Sequence, residues 1–180
     1  MLNIVQGKIT MHYSDLVGRM VTLRPLQHSY IDDYLLMFSP LVRKALQVTA
    51  LDSERTYLNE QIEQMKQGRY PFYVIFDNQD QKLIGAIAIR DVYKGQLYSW
   101  LNEAYWGQGR YQEALQLIAQ SYFKLTQEHF FTARVDVSNR RSYAALKKAG
   151  FADTGISEGP FGKQYELIYR KKATPHEQVA

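Results

Sequence analysis

Two glycines around one polar residue, set just before an amphipathic helix, build a place for an anion, and Gly107-Gln108-Gly109 stand in that position. Before them Gln96 to Leu101 reads as a strand. After them Tyr111, Leu115, Ile118, Tyr122 and Leu125 recur on one helical face, from a start at about Arg110. The first turn of a helix carries N–H groups with no intrahelical acceptor and about half a positive charge. Glycine removes the Cβ that would hold a phosphate or pyrophosphate away from them. Arg110 in that first turn opposes the helix dipole unless an anion is present. A tight strand-to-helix turn that needs positive φ accounts for the same glycines, so this segment alone leaves both readings open. It is not a P-loop, for the Gly-Lys-Ser/Thr ending is absent, nor a dinucleotide fingerprint, for the third glycine and the acidic partner are missing.

A second polar cluster, Asn139-Arg140-Arg141-Ser142, opens a short helix after the next strand, and Lys147-Lys148-Ala149-Gly150-Phe151 closes it. His12, His28, His129 and His176 are scattered without metal-ligand spacing, so no metal is implied, and no Ser-His-Asp grouping can be argued.

The elements that must position these residues follow from periodicity and punctuation. Arg19 to Leu26 reads as a strand. A helix from Ser29, with Ile31, Tyr34, Leu35 and Phe38 on one face, is expected to stop at Pro40. Ser53 is the expected cap of a second helix, striped by Leu58, Ile62 and Met65 and closed by Gly68. Phe72 to Phe76 and Leu83 to Val92 read as a hairpin across Asp77 to Asp80. A short turn at Lys94-Gly95 leads to Gln96 to Leu101. Alternation marks Phe131 to Val137, and Phe151 to Ile156 and Lys163 to Arg170 complete the set. The order β α α β β β α β α β β, with one central βαβ, predicts an α/β (α+β) domain: a mixed, mostly antiparallel sheet with one parallel pair and helices on both faces.

Composition bounds the rest. The 180 residues contain no cysteine, which excludes disulfides, thiolate metal sites and a cysteine nucleophile. Hydrophobic and charged fractions of 46% and 22% are those of a globular chain and exclude a disordered or rod-like one. The expected organisation is an N-terminal extension over 1–18, one domain over 19–170 and a polar tail over 171–180. No window approaches a membrane span, and a cytoplasmic location is expected. The net charge of +4 and pI of about 9.1 admit nucleic acid or polyphosphate partners. No recognition helix or aromatic sheet motif supports nucleic acid.

Taken together, Tyr105-Trp106-Gly107-Gln108-Gly109-Arg110-Tyr111-Gln112-Glu113-Ala114, then Asn139 and Ser142, then Ala149-Gly150-Phe151, after an opening Thr22-Leu23-Arg24-Pro25-Leu26, resemble the Gcn5-related N-acetyltransferase superfamily. The similarity is greatest to its ribosomal-protein N-terminal acetyltransferase branch. The resemblance implies the acyl-CoA N-acyltransferase fold over Arg19 to about Arg170. It implies acetyl-CoA as co-substrate, held along Ser99, Trp100 and Leu101, with its pyrophosphate on Gly107, Gln108, Gly109, Arg110 and Tyr111. Asn139 and Ser142 would face the thioester end, and Arg140, Arg141 and Lys147 would join Arg110 around the phosphates. The partners it implies are a primary amine acceptor and, in some members, a second copy of the chain.

The chain departs from the family pattern in three places. Tyr111 stands where Gly or Ala is usual, and its ring either crowds the pyrophosphate or, the preferred expectation, turns into the core. Leu146 replaces a tyrosine that protonates the leaving thiolate, which leaves Ser142 as the candidate catalytic donor or as a helix cap only. Gln96 replaces a proton-accepting Glu, with Asp91, Glu103 and Glu158 as substitutes. Neutralising a lysine amine at pH 7 costs about 4.6 kcal/mol and an α-amine only about 1.4. A chain without an evident base is therefore expected to favour a low-pKa amine. The acceptor pocket is expected from Ile31 to Gly68, with Tyr30, Tyr34, Tyr57 and Tyr93, and from the loop Glu158 to Lys163. The alternative to an enzyme is a CoA-binding module of the same fold.

Overall fold

The computed structural model describes residues 2–5, 8–11, 13–90, 95–160 and 162–172. Asp91, Tyr93, the Lys94 side of the turn, His12, His176 and the end of the tail lie outside the described residues.

Strands β1 (Leu2–Val5) and β2 (Lys8–Met11) form a hairpin of their own. The main sheet runs β3 (Leu16–Val17), β4 (Val21–Pro25), β5 (Phe72–Asp77), β6 (Leu83–Arg90), β7 (Gln96–Leu101), β8 (Phe130–Asp136), β10 (Gly162–Arg170) and β9 (Ala152–Gly159). Among these strands β7 and β8 are the parallel neighbours, joined by helix α4 (Arg110–Thr126). Helix α5 (Arg140–Lys148) links β8 to β9. The predicted mixed sheet with a central βαβ is the observed one.

Alternation sorts the side chains onto two faces. Leu97 and Leu101 of β7 join Leu115, Ile118, Phe131, Val135 and Leu146 in a core covered by α4 and α5. Tyr98 and Trp100 point the other way, into a core with Tyr34, Phe38, Leu58 and Phe72 beneath α1 (Ile31–Met37), α2 (Pro40–Leu46) and α3 (Leu51–Lys66). The predicted helices therefore cover both faces.

Two local expectations are corrected. Pro40 does not merely stop a helix; it starts α2. The Ser39 hydroxyl accepts the Val42 N–H at 3.2 Å, and a first-turn proline has no missing donor to regret. Helix α3 begins at Leu51, two residues before its predicted cap, so Ser53 lies inside the first turn. That shift places Glu54 on the buried stripe with Leu58, Gln61, Ile62 and Met65.

The start of α4 is tied to the opposite edge of the sheet by one carboxylate. Glu113 accepts the backbone N–H groups of Arg19, Met20 and Val21 at 2.9, 2.7 and 2.9 Å. These bonds are charge-assisted, and truncation would leave three backbone donors at the mouth of β4 without their acceptor. Glu113→Ala is expected to lower the unfolding free energy by about 2–4 kcal/mol in urea titration. A change below about 0.5 kcal/mol would show that water replaces the carboxylate freely.

Candidate active site

The site begins where a sheet comes apart. β7 and β8 share one bridge, Gln96↔Thr132, with the Thr132 N–H donating to the Gly95 carbonyl at 2.6 Å. Beyond it the paired register ends, although β7 continues to Leu101. On its other side β7 is fully paired with β6 from Gln96 to Leu101. The Asn102 N–H bonds the Ile84 carbonyl at 2.8 Å, which continues that ladder. Antiparallel bonding alternates, so Trp100 and Tyr98 spend their backbone groups on β6, while Ser99 and Leu101 turn theirs toward the gap. The Leu101 carbonyl is taken by the Trp106 indole N–H at 2.7 Å. Among the described residues the Leu101 N–H and both backbone groups of Ser99 remain as a short free edge, able to pair with an extended amide-bearing ligand.

At the open end of this gap lies the glycine turn. Gly107 and Gly109 have φ of +77° and +85°. A Cβ on Gly109 would also sit 3.3 Å from the Met20 methyl, so conformation and packing both call for glycine there. Gly109 is the N-cap of α4. The backbone at Gly107-Gln108-Gly109 thus lies open before a 17-residue helix whose first N–H groups lack intrahelical acceptors.

Several predicted side chains have other work. The Arg110 Nε donates to Asp77 Oδ1 at 2.5 Å, and its Nη1 donates to the Gln108 side-chain oxygen. Asp77 is buried, and burial alone would raise its carboxyl; the Arg110 bond and the Asp80 N–H outweigh this and hold it below the usual range. Arg110 therefore braces the loop from behind. The Tyr111 ring packs on the α4-side core and its hydroxyl lies 2.9 Å from Ser99 Oγ. Burial pushes that phenol up to about 12, so it stays neutral. Lys147 sits at the far end of α5, paired with Asp153 at 2.7 Å. The Trp100 indole is buried and donates to the Tyr34 hydroxyl at 2.8 Å.

The other wall comes from the start of α5, which follows β8 as α4 follows β7. Asn139 caps this helix: its Oδ1 accepts the Ser142 N–H at 3.1 Å. The cap is therefore Asn139, and the half-buried Ser142 hydroxyl makes no hydrogen bond among the described residues. Arg141 reaches across to the glycine-loop side, its guanidinium 4.1 Å from the Trp106 ring centroid. The structure thus brings Ser99, Leu101, Gly107 to Gly109, Asn139 and Ser142 to one end of the gap. It sends Lys147 elsewhere.

On the opposite face of β7 lies a group that reading the sequence missed. Glu54 is 5% exposed. Its Oε1 accepts the Tyr34 hydroxyl at 2.7 Å and the Tyr98 hydroxyl at 3.3 Å. Burial raises its carboxyl above the usual range, opposed by these two bonds and by Arg90. The available signal was its spacing, four residues before Leu58 on the apolar stripe of α3. The substitutes named from sequence are otherwise engaged: Glu103 accepts the Ser39 hydroxyl at 2.6 Å, and Glu158 is exposed on β9. Tyr34 is fully buried, whereas Tyr30 and Tyr57 are half-buried.

Comparison with known proteins agrees with the fold. Residues 20–152 match the family described as Acetyltransferase (GNAT) domain. A Bacillus subtilis (strain 168) protein, described as a probable N-acetyltransferase, YjcK, is 26% identical over 157 residues, covering 79% of this chain and 86% of its own. The acetyltransferase from Salmonella typhimurium that modifies the N-terminal serine of ribosomal protein L7/L12 superposes with a TM-score of 0.73 at 20% identity, over 86% of this chain and 97% of its own. The microcin C7 self-immunity acetyltransferase MccE, solved with acetyl-CoA and AMP, gives 0.73 at 16%, over 86% and 94%.

The Asp77–Arg110 pair gives a test of how the loop is held. A carboxyl held low in the folded state contributes stability above its unfolded pKa of about 3.9 and loses it as pH falls through the folded value. Asp77→Asn is expected to cost about 3 kcal/mol at pH 7, because it leaves a nearly buried guanidinium without its counter-charge. The gap to the parent protein should close as urea titrations move below about pH 4. A gap independent of pH would assign the loss to packing.

Proposed function

The chain belongs to the acetyltransferase (GNAT) family, and we propose that it moves the acetyl group of acetyl-CoA directly to a primary amine, such as a protein N-terminus, a polyamine or another small amine. The observation that carries this reading is the free edge of β7 at Ser99 and Leu101, opening beside the Gly107–Gly109 turn. A pantetheine arm carries two amides, one methylene further apart than in a peptide, and can pair with that edge as an added strand would. Its diphosphate then meets the N–H groups at the start of α4.

The residues of the chain divide the work. Gly107, Gln108, Gly109 and the first turn of α4 hold the diphosphate by backbone N–H groups. Arg140 and Arg141 supply positive charge from the start of α5, while Arg110 keeps the loop in shape. The Leu101 N–H polarises the thioester carbonyl. Ser142 donates a hydrogen bond to the sulfur as it leaves, and Asn139 orients the helix turn that carries Ser142. The amine attacks without a covalent enzyme intermediate.

Calorimetric titration with acetyl-CoA, followed by thiol release over a panel of amines, tests the reading. Micromolar binding and turnover of at least one amine are expected. Binding without turnover on any amine would leave a CoA-binding module. Ser142→Ala is expected to lower kcat about tenfold and leave the acetyl-CoA dissociation constant unchanged, the size of one neutral hydrogen bond made in the transition state. An unaltered kcat would assign the hydroxyl no part in departure of the thiol.

A further inference from the structure

An acceptor amine arrives mostly protonated near neutral pH, and the residues named so far give that proton nowhere to go. We propose that Glu54 is its final acceptor, reached through the Tyr98 hydroxyl, and that this arrangement selects acceptors of low basicity, above all α-amines. The inference rests on the acetyl-transfer reading above.

Position carries the argument. Tyr98 immediately precedes Ser99, whose backbone faces the gap, and its side chain lies on the α1–α3 face of β7. Tyr98 is half-buried and Glu54 nearly sealed, so of the two side chains Tyr98 is the more open to a group arriving at β7. The Tyr98 hydroxyl lies 3.3 Å from Glu54 Oε1 and 2.9 Å from the Tyr34 hydroxyl. Tyr34 holds Glu54 at 2.7 Å and is itself held by the Trp100 indole N–H at 2.8 Å. The carboxylate is therefore aimed from three sides, by α1, α3 and β7.

Charge decides the selectivity. The groups facing Glu54 are Tyr34 from α1, Tyr98 and Trp100 from β7, Tyr57 from α3 and Arg90 from β6. The Arg90 Nη1 donates to the Tyr57 hydroxyl at 3.1 Å, and its guanidinium lies 4.7 Å from the Tyr98 ring centroid. A second full cation beside Tyr98 is repelled by that guanidinium. An amine that gives up its proton readily is tolerated, whereas a lysine side chain is not. Burial raises the affinity of Glu54 for a proton, opposed by the bonds from the Tyr34 and Tyr98 hydroxyls and by the charge of Arg90.

The step balances. The ammonium loses one proton to the Tyr98 oxygen as the Tyr98 proton passes to Glu54, and the nitrogen lone pair attacks the thioester carbon. The carbon–sulfur bond breaks, the thiolate takes the second amine proton, and Glu54 returns its proton to solvent.

The experiment measures thiol release against pH with two probes, a short peptide with a free α-amine and an Nα-acetylated lysine amide. For the parent protein, kcat/KM for the peptide should exceed that for the lysine amide at least tenfold and should rise with pH along an acidic limb. Glu54→Gln should lower kcat about 100-fold and shift that limb to the pKa of the amine itself. Tyr98→Phe should lose a similar factor, and the double variant little more. Glu54→Asp should recover part of the rate. Acetyl-CoA binding should not change in any of them.

The pH dependence of stability checks separately that this carboxyl is raised in the folded state. A carboxyl raised in the folded state contributes stability below its unfolded pKa and loses it as pH rises through the folded value. Glu54→Gln should therefore gain in Tm relative to the parent as pH climbs from 5 to 8. A Gln variant with undiminished kcat and the same pH profile overturns the proposal, as does one that loses rate, Tm and acetyl-CoA affinity together. A parent protein that turns over neither probe nor any amine of the panel removes the acetyl-transfer reading itself, and the assignment of Glu54 with it.

Discussion

A parallel strand pair that separates after one bridge leaves backbone hydrogen-bonding groups in the middle of a sheet without partners. That is costly inside a fold, because each buried orphan forfeits on the order of 1–3 kcal/mol. Here β7 and β8 part after Gln96↔Thr132, and the structure around them is arranged to tolerate the opening. The Trp106 indole takes the one carbonyl nearest the mouth, and the free edge that remains is only about three residues long. An acceptor site of this kind persists because the rest of the domain is overdetermined: β6 pairs with β7 along its full length, and β10 pairs with β8 from Gln164 to Arg170.

The opening is kept in register by polar fixtures on its rim. Glu113 binds α4 to the first residues of β4, and Asp77 with Arg110 binds it to the end of β5. Both lie within a turn of Gly109, so the helix N-terminus cannot drift along the sheet. The Arg141–Trp106 contact joins the two walls at their outer end. Basic residues near the glycine turn thus fall into two kinds. Arg110 is consumed by structure, while Arg140 and Arg141 stand at the rim.

The opposite face of β7 shows the reverse choice. There the protein buries a carboxylate among phenols in a place where an apolar side chain would pack as well and cost less. Tyr34 and Tyr98 are both raised well above the ordinary phenol range, chiefly by burial and, beyond it, by the charge of Glu54. Such a cluster is a liability to stability beside the open edge of β7, and ionisable groups of perturbed affinity collect where they serve chemistry.

Much of this was legible in the chain. From β4 onward, α2 apart, periodicity and punctuation gave the element order, the central βαβ and helices on both faces, because each rests on side chains that are neighbours in sequence. Gly107 and Gly109 marked the turn, since positive φ is a local demand. Asn139 as a cap was readable for the same reason. Helix α2 escaped because Pro40 reads equally as a stop and as a first-turn residue, and Ser39 decides between them only once its hydroxyl is seen on Val42. The substitutes named for Gln96 stand beside β7 in sequence (Asp91, Glu103) or on β9 (Glu158), whereas Glu54 approaches β7 from helix α3. What the sequence determined by itself is therefore the set of elements and the backbone turns, which depend on local conformational preference. What only the tertiary structure decided is the partner of each charged group: Arg110 with Asp77, Lys147 with Asp153, Glu54 with Tyr34 and Tyr98. Electrostatic pairing acts through space and ignores chain order, so its outcome is set only when helices and sheet have met.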